Sequence, residues 1–166
     1  MKSEWTPWYR GEDIERFQDS YGVYELKLVN RNGRTYPLER LCGRDPNGIL
    51  YIGRSGYLEA KTRRTLKKRI SEFFRGYHSG GNTFELVRKT KRLGWLSQKK
   101  PWESYIRFRV IEMDGQQDKI DQYERESLAR YFVHYGELPP CNSAIPGKSD
   151  RFYDLVEGLI RSGVAG

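Results

Sequence analysis

The sequence predicts an α+β fold: a small antiparallel sheet of about three strands, flanked by helices. Two stretches alternate with period two. In 21–30, Tyr24, Leu26 and Leu28 share one face while Glu25 and Lys27 take the other; in 103–111, Ile106, Phe108 and Val110 oppose Arg107 and Arg109. Successive side chains leave opposite faces of a strand, so this pattern marks sheet with one buried face. The turn signal Asn32-Gly33 follows the first stretch at once. A tight turn joins antiparallel neighbours, whereas parallel ones need a long crossover. Apolar residues at helical spacing in 58–77 and 117–135 supply a second layer. With 166 residues, one domain is expected.

In chain order, residues 1–20 form an N-terminal extension with Trp5, Trp8 and a short helix near Glu12–Phe17. After the first strand and its turn, 34–42 reads as a return strand, weakened or placed at an edge by Pro37. Asp45-Pro46-Asn47-Gly48 is a turn, and 49–53 is a strand. Leu66, Ile70, Phe73, Phe74 and Tyr77 make one stripe, so 58–77 is expected to be helical. Residues 76–83 read as a loop and 84–93 as a basic helix stopped by Gly94. The helix 117–135 ends at Gly136, ahead of Pro139-Pro140, and a last short helix covers about 149–161. There are no repeats and no long linker.

Composition narrows the function. No apolar run approaches the roughly 18 residues of a membrane span, and the N-terminus has no apolar signal region, so a cytoplasmic protein with no membrane partner is expected. Cys42 and Cys141 formally permit one disulfide, but free thiols in a reducing compartment are expected. No Cys/His spacing suggests zinc. The net charge of +8 points to a polyanion. Its distribution sharpens this: Lys61, Arg63, Arg64, Lys67, Lys68 and Arg69 cluster, as do Arg88, Lys89, Lys91 and Arg92, with Phe73, Phe74, Tyr77 and Trp95 interleaved. That mixture suits phosphate contacts backed by packing or stacking.

Helical geometry sorts the charges. With Leu66 at the centre of its stripe, Arg64 and Lys68 fall about 160–200° away, on a solvated or DNA-facing surface, while Arg69 falls about 60° away beside Phe73. On 117–135 the apolar stripe is Ile120, Leu128, Tyr131, Phe132 and Tyr135. Glu124 lies about 40° from Leu128, inside the stripe, and Glu126 about 160° away. A carboxylate within an apolar face calls for a partner, either an arginine or a metal ion. Asp121 stands near the same face as a cap or rim charge.

Gly22-Val23-Tyr24 and Tyr51-Ile52-Gly53 together resemble the paired motif of the GIY-YIG nucleases. The family's order continues with a basic helix, T-L-K-K-R-I-S-E-F-F-R, a carboxylate on a later helix, and L-P-P-C-N just after it. The resemblance covers roughly 21–142 and implies a nuclease domain over 21–145, with 146–166 packing on it as a C-terminal helix. It implies a site of Tyr24, Tyr51, Arg69, Glu124 and Asn142, with Glu124 binding one divalent ion, magnesium with manganese as a substitute. The chain departs from the family in three places. Residues 30–47 resemble the hairpin insertion of restriction-enzyme-like members. Phe73 stands where many members carry His or Tyr, so His78 is a candidate proton acceptor instead. The interval from Glu124 to Asn142 is long, which leaves Glu126 as a rival to Glu124.

The implied activity is a metal-dependent endonuclease acting on DNA ahead of RNA, of restriction, phage or mobile-element type. A non-catalytic DNA- or RNA-binding module and a structure-specific repair nuclease are the alternatives. Arg69 would give planar, permanently charged donors to the phosphate. Tyr24 is the first choice of base, with Tyr51 and His78 as the others. Asn142 would orient a tyrosine or the glutamate. Gly53, lacking a side chain, would let a phosphate approach. Arg54, Arg63, Arg64, Lys67 and Lys68, and then Arg107 and Arg109, are expected nucleic-acid contacts, and a homodimer is a further expectation.

Overall fold

The computed structural model describes residues 4–58, 62–89, 102–113, 117–145 and 149–163. The expected α+β class is observed, but the main sheet has four antiparallel strands. They are β1 (Tyr9–Arg10), β2 (Gly22–Leu28), β5 (Ile49–Arg54) and β8 (Ile106–Glu112), in the order β1-β8-β2-β5. The additional strand comes from the N-terminal segment, where Tyr9 and Arg10 pair with Phe108 and Arg107. Two residues are too few to show an alternation in sequence, so β1 was not legible there.

The period-two reading of β2 and β8 holds in space. Tyr24, Leu26 and Leu28 enter one core with Ile106, Phe108 and Val110. This core is closed by Ile14 and Phe17 of a 3-10 turn (Gly11–Phe17), by Leu66, Ile70 and Phe73 of α1 (Leu66–Phe74), and by Phe84 of α2 (Ser79–Lys89). The opposite face carries Val23 and Ile52 against α3 (Gln117–Tyr135) and α4 (Ser149–Arg161), whose Leu128, Tyr131, Phe152 and Val156 make a second core. The sheet is thus buried on both faces, and α4 packs on α3.

Three expected elements differ. The return strand 34–42 is mostly irregular: Thr35 bridges Val29, and then β3 (Leu38–Arg40) pairs with β4 (Gly43–Asp45) as a separate hairpin. Pro37 has no N–H to continue the ladder, and Arg40 ties the hairpin to the end of α3 through the Leu138 carbonyl and Glu137. The helix expected over 58–77 is shorter. Residues of β6 (Gly56–Leu58) and β7 (Thr62–Arg64) pair antiparallel, and the helix begins at Leu66 after Thr65, whose hydroxyl accepts from the Lys68 N–H at 3.3 Å. The apolar stripe has no member before Leu66, so nothing there paid for a buried helical face.

The loop expected over 76–83 becomes helix from Ser79. Gly80 and Gly81 read as loop by propensity, but both sit where a side chain is excluded. A Cβ on Gly80 would lie 2.7 Å from the Tyr51 ring, and one on Gly81 would lie 2.3 Å from the Phe73 carbonyl oxygen. The second half of the expected basic helix, with Lys91, Arg92 and Gly94, and Trp95 beyond it, lies outside the described residues. Among the described residues no helix is long and apolar enough to cross a membrane, and Cys42 and Cys141 are both free thiols.

Candidate active site

β2 and β5 run side by side with Tyr24 opposite Gly53 and Leu26 opposite Tyr51. The two tyrosine rings therefore project from the same face, with centroids 5.8 Å apart. Both lean over Gly53: a Cβ there would lie 2.3 Å from Tyr51 Cε1 and 2.9 Å from Tyr24 Cζ and Oη. This corrects the expectation for Gly53. The space it leaves is filled by the tyrosines, not held open for a phosphate. Tyr51 is clasped between Gly53 and Gly80, with Phe73 at 5.6 Å and the His78 ring edge-on at 4.9 Å.

Tyr51, Arg54, Arg64, Arg69, His78, Glu124 and Asn142 line one cleft of about 690 Å³, a size that suits a small ligand or one nucleotide unit. Four segments supply them: the β5–α1 region, the start of α2, the middle of α3 and the stretch after α3 that carries Asn142. Arg69 is the hub. Its Nε donates to the Arg54 carbonyl at 3.3 Å, its Nη1 to Glu72 at 3.3 Å, and its Nη2 lies 2.6 Å from His78 Nε2. The Tyr51 phenol oxygen is 3.0 Å from that same nitrogen, while His78 Nδ1 faces the Gly80 N–H at 3.1 Å. A neutral imidazole has one acceptor nitrogen and an imidazolium has none. With an amide donor at Nδ1 and a guanidinium donor at Nε2, either neutral tautomer can accept from one of them and an imidazolium from neither, so a second ring proton is disfavoured. Burial, reinforced by Arg69 and Arg64, lowers the His78 pKa to about 4.

Glu124 projects from α3 and is 7% exposed. Its Oε2 accepts from Arg54 Nε at 3.0 Å, and Arg54 Nη1 reaches Asp121 at 2.7 Å. Burial raises its pKa to about 7, with Arg54 working against the rise and Asp121 adding to it. Glu126 turns away and accepts from Gln122 at 2.8 Å, so of the two rivals only Glu124 faces the cleft.

Tyr24 stands one layer deeper. It is fully buried and does not line the cleft, and its hydroxyl has no hydrogen-bond partner among the described residues. Burial pushes its pKa up to about 12, with Arg69 opposing. Tyr51 is raised well above the ordinary phenol value as well, again chiefly by burial. Asn142 is committed elsewhere: its Oδ1 accepts from the Ile52 N–H at 3.0 Å and its Nδ2 donates to the Ile52 carbonyl at 2.7 Å. With the Cys141 N–H bonded to the Leu50 carbonyl at 2.9 Å, it covers the open edge of β5. It orients backbone, not a tyrosine or the glutamate.

The expected nucleic-acid contacts divide. Arg64 is not on the outer face of a helix; it is on β7, in the cleft, with Nη1 on Glu72 at 3.0 Å. Arg54 lines the cleft but is held by two carboxylates. Lys68 is exposed on α1, and Lys67 pairs with Glu15 at 2.5 Å. Arg107 donates to the carbonyls of Ser104 and Ile106 in a separate cleft. Arg109 is not a solvated strand charge: it pairs with the buried Glu25 at 2.6 Å and lies over the rings of Trp5 and Trp8. The Arg63 side chain lies outside the described residues.

Sequence reasoning passed over Glu72, which joins Arg64 to Arg69, and Gly80, which makes room for Tyr51. The i, i+3 spacing of Arg69 and Glu72 was a usable signal; for Gly80 there was none. Among the described residues no group of three or more His, Cys, Asp or Glu converges as a metal cage. No protein-family model, curated protein or solved structure matches the chain.

Proposed function

We propose that the chain is a divalent-metal-dependent endonuclease that hydrolyses DNA phosphodiester bonds, of the GIY-YIG type its motifs resemble. One observation carries the reading: Tyr51, Arg69, His78 and Glu124 line one cleft with cationic, acidic and proton-carrying side chains on its walls. A site that only bound phosphate would gain nothing from a buried carboxylate facing it.

The donor set fits magnesium. That ion keeps several waters and takes one or two carboxylates together with substrate oxygens, and Glu124 is a single carboxylate on the wall of a cleft, already facing a cation in Arg54. When bound, magnesium or manganese would supply positive charge to the leaving and non-bridging oxygens.

The rest falls to the chain's own groups. Arg69 holds the phosphate by its planar fork of donors. To do so the guanidinium swings as a unit about its Glu72 pair, Nη2 leaving His78 and Nε leaving the Arg54 carbonyl to face the phosphate. The imidazole then loses a cation at 2.6 Å and gains the neighbourhood of an anion, so its proton affinity rises. His78 and Tyr51, joined at 3.0 Å, then form the pair that takes a proton from water. The base is the Tyr51–His78 pair and not the expected Tyr24, because Tyr24 is sealed behind Tyr51. Glu72 keeps Arg64 and Arg69 side by side, and Asn142 fixes the strand that carries Tyr51.

The test is nicking of supercoiled plasmid in magnesium or manganese, in EDTA, and with Glu124→Gln. Cutting should need the metal and vanish in Glu124→Gln, which should still retard DNA in a gel. Cutting in EDTA, or full activity in Glu124→Gln, would overturn the reading. A parallel RNA substrate should be cut more slowly.

A further inference from the structure

We propose that Tyr77 is a stacking platform for a nucleobase beside the phosphate held by Arg69, so that the chain acts where that base is unpaired. The inference rests on the phosphodiesterase reading and names the form of DNA that site takes.

Tyr77 stands at a junction. It lines the reaction cleft beside Arg69 and His78, and it also lines the adjoining cleft of about 510 Å³ that contains Lys68 and Arg75. A strand whose phosphate sits on Arg69 and which continues over α1 must cross this ring. The ring is 79% exposed. Among the described residues its side chain makes no hydrogen bond, ion pair or ring contact.

Its position is nevertheless fixed. α1 ends with the Gly76 N–H on the Phe73 carbonyl at 3.1 Å and the Tyr77 N–H on the Glu72 carbonyl at 3.0 Å, with Gly76 at φ 70°. This is a Schellman motif, in which the residue in Tyr77's position ordinarily buries an apolar side chain against the one in Glu72's. Here Glu72 is engaged with Arg64 and Arg69, so the ring is left facing outward. The next residue, His78, is 6% exposed and bonded inside the site. The backbone is therefore pinned on both sides of a bare aromatic face.

Bases stack on aromatic side chains whatever their sequence, but only when their faces are free. Within a duplex both faces are occupied, so the stack needs an unpaired or extruded base. Lys68 and Arg75 supply cations for the flanking phosphates.

The test is binding, in EDTA, of one DNA sequence as a single strand carrying 2-aminopurine and as its fully paired duplex, alongside plasmid cutting in magnesium. Wild-type protein should quench 2-aminopurine in the single strand. Tyr77→Ala should weaken single-strand binding by about 5- to 150-fold, with a much smaller change on the duplex, and Tyr77→Phe should match wild type. Because the ring is exposed, both variants should keep the wild-type circular dichroism. The proposal falls if Tyr77→Ala binds the single strand as wild type does, if it loses both forms equally, or if Tyr77→Phe fails as badly as Tyr77→Ala. If wild-type protein cuts plasmid in any of these cases, the nuclease reading survives alone; if it neither binds nor cuts DNA, both fall.

Discussion

Arg69 presents Nη2 to His78 Nε2 at 2.6 Å, a permanent cation held against a titratable ring. Burial is the main reason the imidazole is a weak base, and this contact adds to it. In the proposed nuclease Arg69 would also receive the phosphate, so substrate binding and activation of the proton acceptor would draw on the same side chain.

In the free protein the His78 imidazole should titrate near pH 4. In Arg69→Gln, where burial and Arg64 still oppose the charge, its pKa should move up part of the way toward the ordinary histidine value. Histidine proton NMR across an acid titration reads both, and an unchanged pKa in Arg69→Gln would show that the guanidinium does not hold the ring neutral.

Stability should carry two opposed pH dependences. His78 titrates at about 4 folded against 6.5 ordinarily, so the unfolded chain binds more protons in that window and stability falls as pH falls through it. Glu124 titrates at about 7 folded against 4.5 ordinarily, so the folded chain binds more protons and stability falls as pH rises. Each amounts to roughly 3 kcal/mol, and between pH 4.5 and 6.5 they offset each other. Urea unfolding without metal should show Glu124→Gln gaining stability as pH rises from 4.5 to 6.5 and His78→Gln losing it, with wild type flatter than either.

Gly53→Ala should destabilise the fold, because its Cβ would meet the Tyr51 ring at 2.3 Å. Forcing one methyl into packed aromatics costs roughly 1–3 kcal/mol. Thermal unfolding measures this, and cutting should fall with the displacement of Tyr51. A wild-type melting temperature would show that the rings have room to give.

Arg109→Ala should read as a stability variant and Lys68→Glu as a binding variant. Removing Arg109 leaves Glu25 buried without its ion pair, a loss of roughly 3–5 kcal/mol. The folded remainder should bind DNA as before. Lys68→Glu should unfold normally while binding DNA more weakly, with a shallower salt dependence. Denaturant curves and binding at two salt concentrations separate the two outcomes.

The chain's own pattern determined the strands at 22–28 and 106–112, the long helix at 117–135 and the apolar stripe of α1. Periodicity reports burial directly, and each of these elements has a buried face. The same logic turned Arg69 and Glu124 inward, since a charge at an apolar position must find a partner. What only the tertiary structure decided depends on contacts between segments distant in sequence. Arg64 looked like an outer helix charge until pairing of Gly56 with it made a hairpin and swung it into the cleft. Arg109 looked free until two tryptophans and Glu25 closed over it. Gly53 stood out in the Tyr51-Ile52-Gly53 motif but without its reason, and Gly80 carries no signal of its own, because what makes each of them necessary is the ring of Tyr51, set against Gly80 from 29 positions away in the chain. Local propensity cannot report a steric demand made by another part of the fold.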